Sequence, residues 1–152
     1  MGAEVEAVLS LGSNIEPRAR YLSLALKAME RFPDTRLCAA SSVIETEGVD
    51  VPREYADMKF LNQVAVFATS LEVHDFSRRM HEVEDMLGRV RMVRNGPRTI
   101  DIDLIDFGGM SLCEPDLTLP HPRAHTRDFV MSLWREVRNL KNPFVVEKSS
   151  AW

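Results

Sequence analysis

Thr99-Ile100-Asp101-Ile102-Asp103-Leu104-Ile105-Asp106-Phe107 alternates polar and apolar side chains through Leu104, the period of a half-buried strand, and Gly108-Gly109 ends it. Ile100, Ile102 and Leu104 share one face, so Asp101 and Asp103 share the other, about 6.6 Å apart along the backbone. Working outward from this strand, Glu72 to Leu87 carries Val73, Phe76, Met80, Val83 and Leu87 on one face of a helix, with Gly88 as its stop. Phe60 to Thr69 reads as a strand, and Thr35 to Ile44 as the strand before it, close enough in sequence for the two to pair. Pro17 to Arg31 has Leu22, Ala25, Leu26 and Met29 at helical spacing, with Pro17 where its missing N–H costs little. From Glu4 to Leu11, Val5, Ala7, Leu9 and Leu11 alternate with polar residues, Val8 being the exception. That strand is expected to stop at Gly12-Ser13-Asn14, read as a tight turn.

The order β-α-β-β-α-β predicts an α+β fold with a ferredoxin-like core, an antiparallel sheet with helices packed on one face. A helix from Arg127 to Leu140 is additional, and Asn142 to Trp152 reads as a loosely packed tail. The irregular stretch from Glu45 to Lys59 is long for a small domain and is read as functional. The length of 152 residues fits a single domain spanning 1–152, and a chain of this size buries roughly 70% of its unfolded surface without disulfide or metal support. A net charge of -4 provides no global field for nucleic acid or anionic lipid, so any basic site is local. Two distant cysteines, Cys38 and Cys113, make neither a zinc motif nor a disulfide framework. No signal peptide is visible, and no apolar run reaches the roughly 20 residues of a membrane helix. These features predict a cytoplasmic protein with reduced thiols and no membrane partner, and a monomer is expected.

Two carboxylates on one strand face repel unless a cation lies between them. One or two Mg²⁺ ions whose shells are completed by phosphates would answer that repulsion; a solvated sheet face is the plainer alternative. The neighbouring run Arg89-Val90-Arg91-Met92-Val93-Arg94-Asn95-Gly96-Pro97-Arg98 holds four arginines and no acid. Guanidinium groups suit phosphate because their fork donates paired hydrogen bonds, so arginines leading into an Asp pair favour a polyphosphate site over a merely solvated loop. A second basic segment, Leu119 to Arg127, contains His121 and His125. Pro122 between them argues against a helical metal site, no HExxH pattern occurs, and a histidine donating to phosphate is preferred over zinc. His74 and His81 lie off the apolar stripe of their helix and are read as solvated.

Together, LGSN (residues 11–14), FLNQV (60–64), LGRVR (87–91), GPRTIDIDLI (96–105) and LPHPRAHTRDFV (119–130) resemble the 6-hydroxymethyl-7,8-dihydropterin pyrophosphokinases of folate biosynthesis, in order from Val8 to Glu136. The resemblance implies a ferredoxin-like core and transfer of the β,γ-pyrophosphoryl group of ATP to the pterin hydroxymethyl oxygen, with release of AMP. It implies that Asp101 and Asp103 bind Mg²⁺, two ions per site, and act in catalysis with Arg89 and Arg98. Arg91, Arg98, His121 and Arg127 fall around the triphosphate, and Glu84 and Thr118 at nucleotide-binding positions. For the pterin, Asn62 matches the side chain that reads the polar edge, Phe60 and Phe129 the two stacking aromatics, and Thr46 and Val49 the backbone contacts. The chain departs from the pattern at Phe60, where Tyr is usual, at Asn95, where Trp is usual, and in Glu47-Gly48-Val49-Asp50. Two competing classes are an Mg²⁺-dependent nucleotide hydrolase, which has no use for Asn62 with two aromatics, and an RNA-binding ferredoxin-like module, whose RNP1 pattern is absent.

Overall fold

A computed structural model of the chain describes residues 3–47, 53–55, 57–88, 99–124 and 127–141. The elements run β1 (Val5–Ser13), α1 (Arg18–Glu30), β2 (Thr35–Ala40), β3 (Ile44–Glu47), a 3-10 turn (Arg53–Tyr55), β4 (Lys59–Thr69), α2 (Val73–Met86), β5 (Asp101–Phe107), β6 (Leu112–Glu114), β7 (Leu117–Leu119) and α3 (Asp128–Lys141). The main sheet has the order β2-β4-β1-β5, with β3 pairing β4 beyond the end of β2, and every pairing is antiparallel. Counting β2 and β3 as one broken strand, this is the ferredoxin-like order the element sequence predicts.

On one face, Ala7, Leu9 and Leu11 of β1, Ala65 and Phe67 of β4 and Ile102 and Leu104 of β5 pack against the apolar stripes of α1 and α2. Leu22, Ala25, Leu26 and Met29 are the buried residues of α1, matching the sequence periodicity, and Val73, Phe76, Met80 and Val83 are buried on α2. Phe76 anchors this layer by edge contacts to Phe32 and Phe107, with centroids 5.5 and 5.6 Å away.

The other face is covered as well. Val130, Leu133 and Val137 of α3 pack on Val8, Val64, Val66 and Ile105. Val8 breaks the alternation of β1 for this reason: it serves a second apolar layer on the reverse of the sheet. Ile105 reaches that layer beside a bulge, where the β1–β5 register shifts between Val8 and Leu9, so Phe107 returns to the α1/α2 side.

Two sequence expectations need correction. β1 does not stop at Leu11 but continues through Gly12, which pairs with both neighbouring strands, and Ser13, which pairs with Leu61 of β4. The expected strand from Thr35 to Ile44 is two strands. Ser41 interrupts it: its backbone N–H donates to Val64 O (2.8 Å), while its Oγ takes the N–H of Val64 (2.9 Å) that a backbone carbonyl would otherwise accept. The β6–β7 hairpin was not anticipated, its strands being too short to show a period. The tail from 142 lies outside the described residues.

Candidate active site

The α3-side face of the sheet is apolar only where α3 covers it. Toward the other end of β1 the same face turns polar, and the pairing register arranges its residues in rows. Ser10 pairs with Val64 on β4 and Asp103 on β5; Gly12 pairs with Asn62 and Asp101. Asn62 and Asp101 therefore flank a bare glycine on one surface, while Ile102 between the two aspartates points into the core. The same-face reading of the Asp pair holds.

Asn62 is 5% exposed. Its Nδ2 donates to Thr46 Oγ1 at 2.6 Å across the β3–β4 pair, which fixes the amide plane and turns Oδ1 toward the Gly12 position. Phe60, two residues earlier on β4, brings its ring edge to the same position. Arg18, in the first turn of α1, ties down the base of this hairpin by donating to Glu45 Oε2 (2.8 Å) and Lys59 O (3.0 Å).

Around Asp103 the structure gathers an imidazole and a guanidinium. His121 Nε2 lies 3.8 Å from Oδ1 and Arg127 Nη1 3.6 Å from Oδ2, within Coulombic reach but beyond hydrogen-bonding distance. The imidazole Nδ1 accepts the N–H of Arg123 (3.1 Å), which assigns the proton to Nε2, the nitrogen facing the carboxylate. Burial lowers the His121 pKa, and the nearby charges of Arg127 and Arg123 lower it further, against an opposing pull from Asp101. The ring is thus held neutral at neutral pH, a hydrogen-bond donor through Nε2. The backbone N–H of His121 donates to Ile105 O (2.9 Å), fastening this segment to the outer edge of β5. A cleft of about 250 Å³ opens beside it, lined by Ser77, His81, Asp103, Thr118, His121 and Pro122 among others.

Glu84 serves β5 from behind. It is 1% exposed, and its Oε2 accepts the N–H of Ile102 at 2.7 Å, the amide midway between the two aspartates. Its Oε1 pairs with His81 Nδ1 at 2.9 Å. His81 is therefore not simply solvated, because it caps a buried carboxylate. His74 is exposed but also engaged, bridging Glu72 (2.6 Å) and Glu114 (2.8 Å) between α2 and the β6–β7 hairpin.

The family model of 7,8-dihydro-6-hydroxymethylpterin-pyrophosphokinase matches residues 8–139, most of the chain. The chain belongs to this family. It is 35% identical over 132 residues to the 2-amino-4-hydroxy-6-hydroxymethyldihydropteridine pyrophosphokinase of Bacillus subtilis, covering 86% of this chain and 77% of that one. It is 38% identical over 124 residues to the protein of the same name from Pseudomonas aeruginosa, covering 81% and 74% respectively. Among solved structures, a Plasmodium falciparum HPPK-DHPS with pterin and p-hydroxybenzoate aligns with all of this chain at a TM-score of 0.66 and 13% identity. The chain spans 46% of that longer one, and the likeness bears on the fold alone.

Against the family pattern, Asp101, Asp103, His121 and Arg127 converge at one end of the site, and Thr46, Phe60 and Asn62 at the other. Phe129 is half-buried in the first turn of α3, against the second core cluster. Thr118 lines the cleft on β7. Arg89, Arg91, Arg98 and Val49 lie outside the described residues, as do His125 and Asn95. Among the described residues no three His, Cys, Asp or Glu side chains form a metal-binding group. Two hard carboxylate oxygen donors suit a cation such as Mg²⁺ that takes the rest of its shell from substrate phosphates and water. The sequence reading took Gly12 for part of a tight turn, although its even spacing from Ser10 and Val8 was a signal that the strand continues.

Proposed function

We propose that this chain transfers the β,γ-pyrophosphoryl group of ATP to 6-hydroxymethyl-7,8-dihydropterin through the residues on the α3-side face of its sheet. The observation that carries the reading is the Asn62–Gly12–Asp101 row. It sets an oriented amide and a carboxylate two strands apart on one surface, so an acceptor gripped at its polar edge presents its other end to the aspartates. In the reaction the hydroxymethyl oxygen attacks the β-phosphorus and the bond from that phosphorus to the α,β-bridging oxygen breaks. AMP leaves with the bridging oxygen, and the hydroxyl proton passes to solvent.

Asn62 orients the pterin, with Thr46 fixing the amide and Val49 adding a backbone contact. Phe60 and Phe129 supply apolar area to its two faces. Asp101 and Asp103 are the residues that would hold Mg²⁺, two ions per site, and bound Mg²⁺ supplies charge neutralisation on the triphosphate. His121 donates from Nε2 to a phosphate oxygen, and Arg127, with Arg89, Arg91 and Arg98, neutralises the remaining charge. Thr118 lies on the nucleotide side, where Glu84 acts through the backbone of Ile102. No side-chain base is needed, because positioning and electrostatics carry most of such a transfer. The protein is proposed to act as a single domain and a monomer in the cytoplasm, without nucleic acid.

The test is AMP formation by purified protein with MgATP. Release that depends on added dihydropterin, with the pterin diphosphate as co-product, supports the reading. Equal nucleotide cleavage without the pterin would make the protein a hydrolase instead.

A further inference from the structure

Gly12 occupies the central strand of the sheet, paired with β4 on one side and β5 on the other. Between Ala7 and Ser13 every other residue of β1 is buried; Gly12 is not. Its backbone has no need of glycine, for unlike Gly88, Gly108 and Gly109 it does not take a positive φ. A Cβ at this position would meet Asn62 Oδ1 and Phe60 Cδ1 at 3.5 Å each, ordinary van der Waals contact. Neither torsion nor packing excludes alanine, while glycine in a strand interior forfeits backbone entropy and a side chain to pack. What alanine would remove is the opening itself: accessible bare backbone in mid-sheet, bordered by Phe60, Asn62 and Asp101.

We propose that Gly12 is a specificity-determining residue whose missing side chain lets the edge of a flat heterocycle, its faces left to Phe60 and Phe129, come down on the β1 backbone between the Asn62 amide and Asp101. This rests on the assignment of Asn62 to the pterin. Asn62 and Asp101 stand two strand spacings apart, about 9.6 Å, so a ligand held at the first and reacting at the second must cross Gly12. A methyl there projects onto the same face, as its would-be neighbours Asn62 and Phe60 show. It raises the ring from the sheet and moves the hydroxymethyl oxygen out of line, and a misplacement on the order of 1 Å is enough to lower turnover about a hundredfold.

The experiment compares wild type, Gly12→Ala and Gly12→Val by thermal unfolding and by calorimetry. The titrants are a nonhydrolysable ATP analogue with Mg²⁺, then 6-hydroxymethyl-7,8-dihydropterin in its presence. Gly12→Ala is expected to unfold at the same temperature or higher and to hold the analogue within about twofold of wild type. Its dihydropterin affinity falls about tenfold or more, and further in Gly12→Val. Dihydropterin affinity within about twofold of wild type in both variants overturns the proposal. So does a fall in unfolding temperature that carries both affinities down together, since the fold would then be what requires glycine. If wild type binds the analogue but not the dihydropterin, the acceptor assignment fails first, an outcome visible before either variant is compared.

Discussion

Replacing Glu84 with Ala removes the acceptor that holds the amide between Asp101 and Asp103. The bond is 2.7 Å long, its acceptor is 1% exposed, and it reaches the outer edge of β5, where no further strand among the described residues pairs with Ile102. A hydrogen bond to a charged group contributes about 1.5–3 kcal/mol, and leaving the strand N–H orphaned in the interior moves the loss toward the upper end. The His81 contact adds less, because the imidazole is half-exposed and water competes for it. The expected loss is about 2–4 kcal/mol, or roughly 4–16 °C at about 2–4 °C per kcal/mol for a chain of this size. Glu84→Gln keeps an acceptor oxygen and the volume, and is expected to recover more than half of that loss. Because the freed amide lies between the two aspartates, turnover should fall with stability in Glu84→Ala and return with it in Glu84→Gln. Denaturant unfolding with steady-state kinetics on the three proteins checks this. Full stability of Glu84→Ala with a raised KM for ATP alone would refute it, and would mean that the carboxylate touches nucleotide directly.

Asp103→Ala is expected to lower turnover at least about a hundredfold, a loss of roughly 2.7 kcal/mol in transition-state stabilisation, and near-native AMP formation would contradict the metal assignment. Asn62→Ala and Phe129→Ala should each weaken dihydropterin binding by about 1–3 kcal/mol while leaving the ATP analogue unaffected, as calorimetry will show. His74, bridged by Glu114 and Glu72, has its pKa raised above the ordinary 6.5. Its pairing therefore supports the fold fully below that value and is lost as pH rises through the higher folded pKa. An NMR titration of the ring should place it above 6.5 and find it lowered in Glu114→Gln.

Much of the fold was legible because local patterns and tertiary packing agree. The stripes of α1 and α2 and the alternation of β5 are buried as their periods require, and Asp101 and Asp103 share a face because a strand leaves them no other choice. Where reading failed, two structures competed for the same residues. Ser41 looks like a strand residue until its hydroxyl takes the place of a ladder carbonyl, and Gly12 looks like a turn until two neighbouring strands claim it. His81 looked solvated because Glu84, three residues along the helix, gave no sign that it would be buried.

The chain by itself determined the α+β order, the core-facing residues of its helices and the Asp pair, since each follows from a repeat of two or 3.6 residues within a single element. Only the tertiary structure decided that α3 covers the reverse of the sheet, that Asn62, Gly12 and Asp101 form one row, and that His121 and Arg127 turn toward Asp103. Register between strands depends on contacts far apart in the chain, and a shift of one residue in β4 or β5 would send Asn62 or Asp101 to the opposite face.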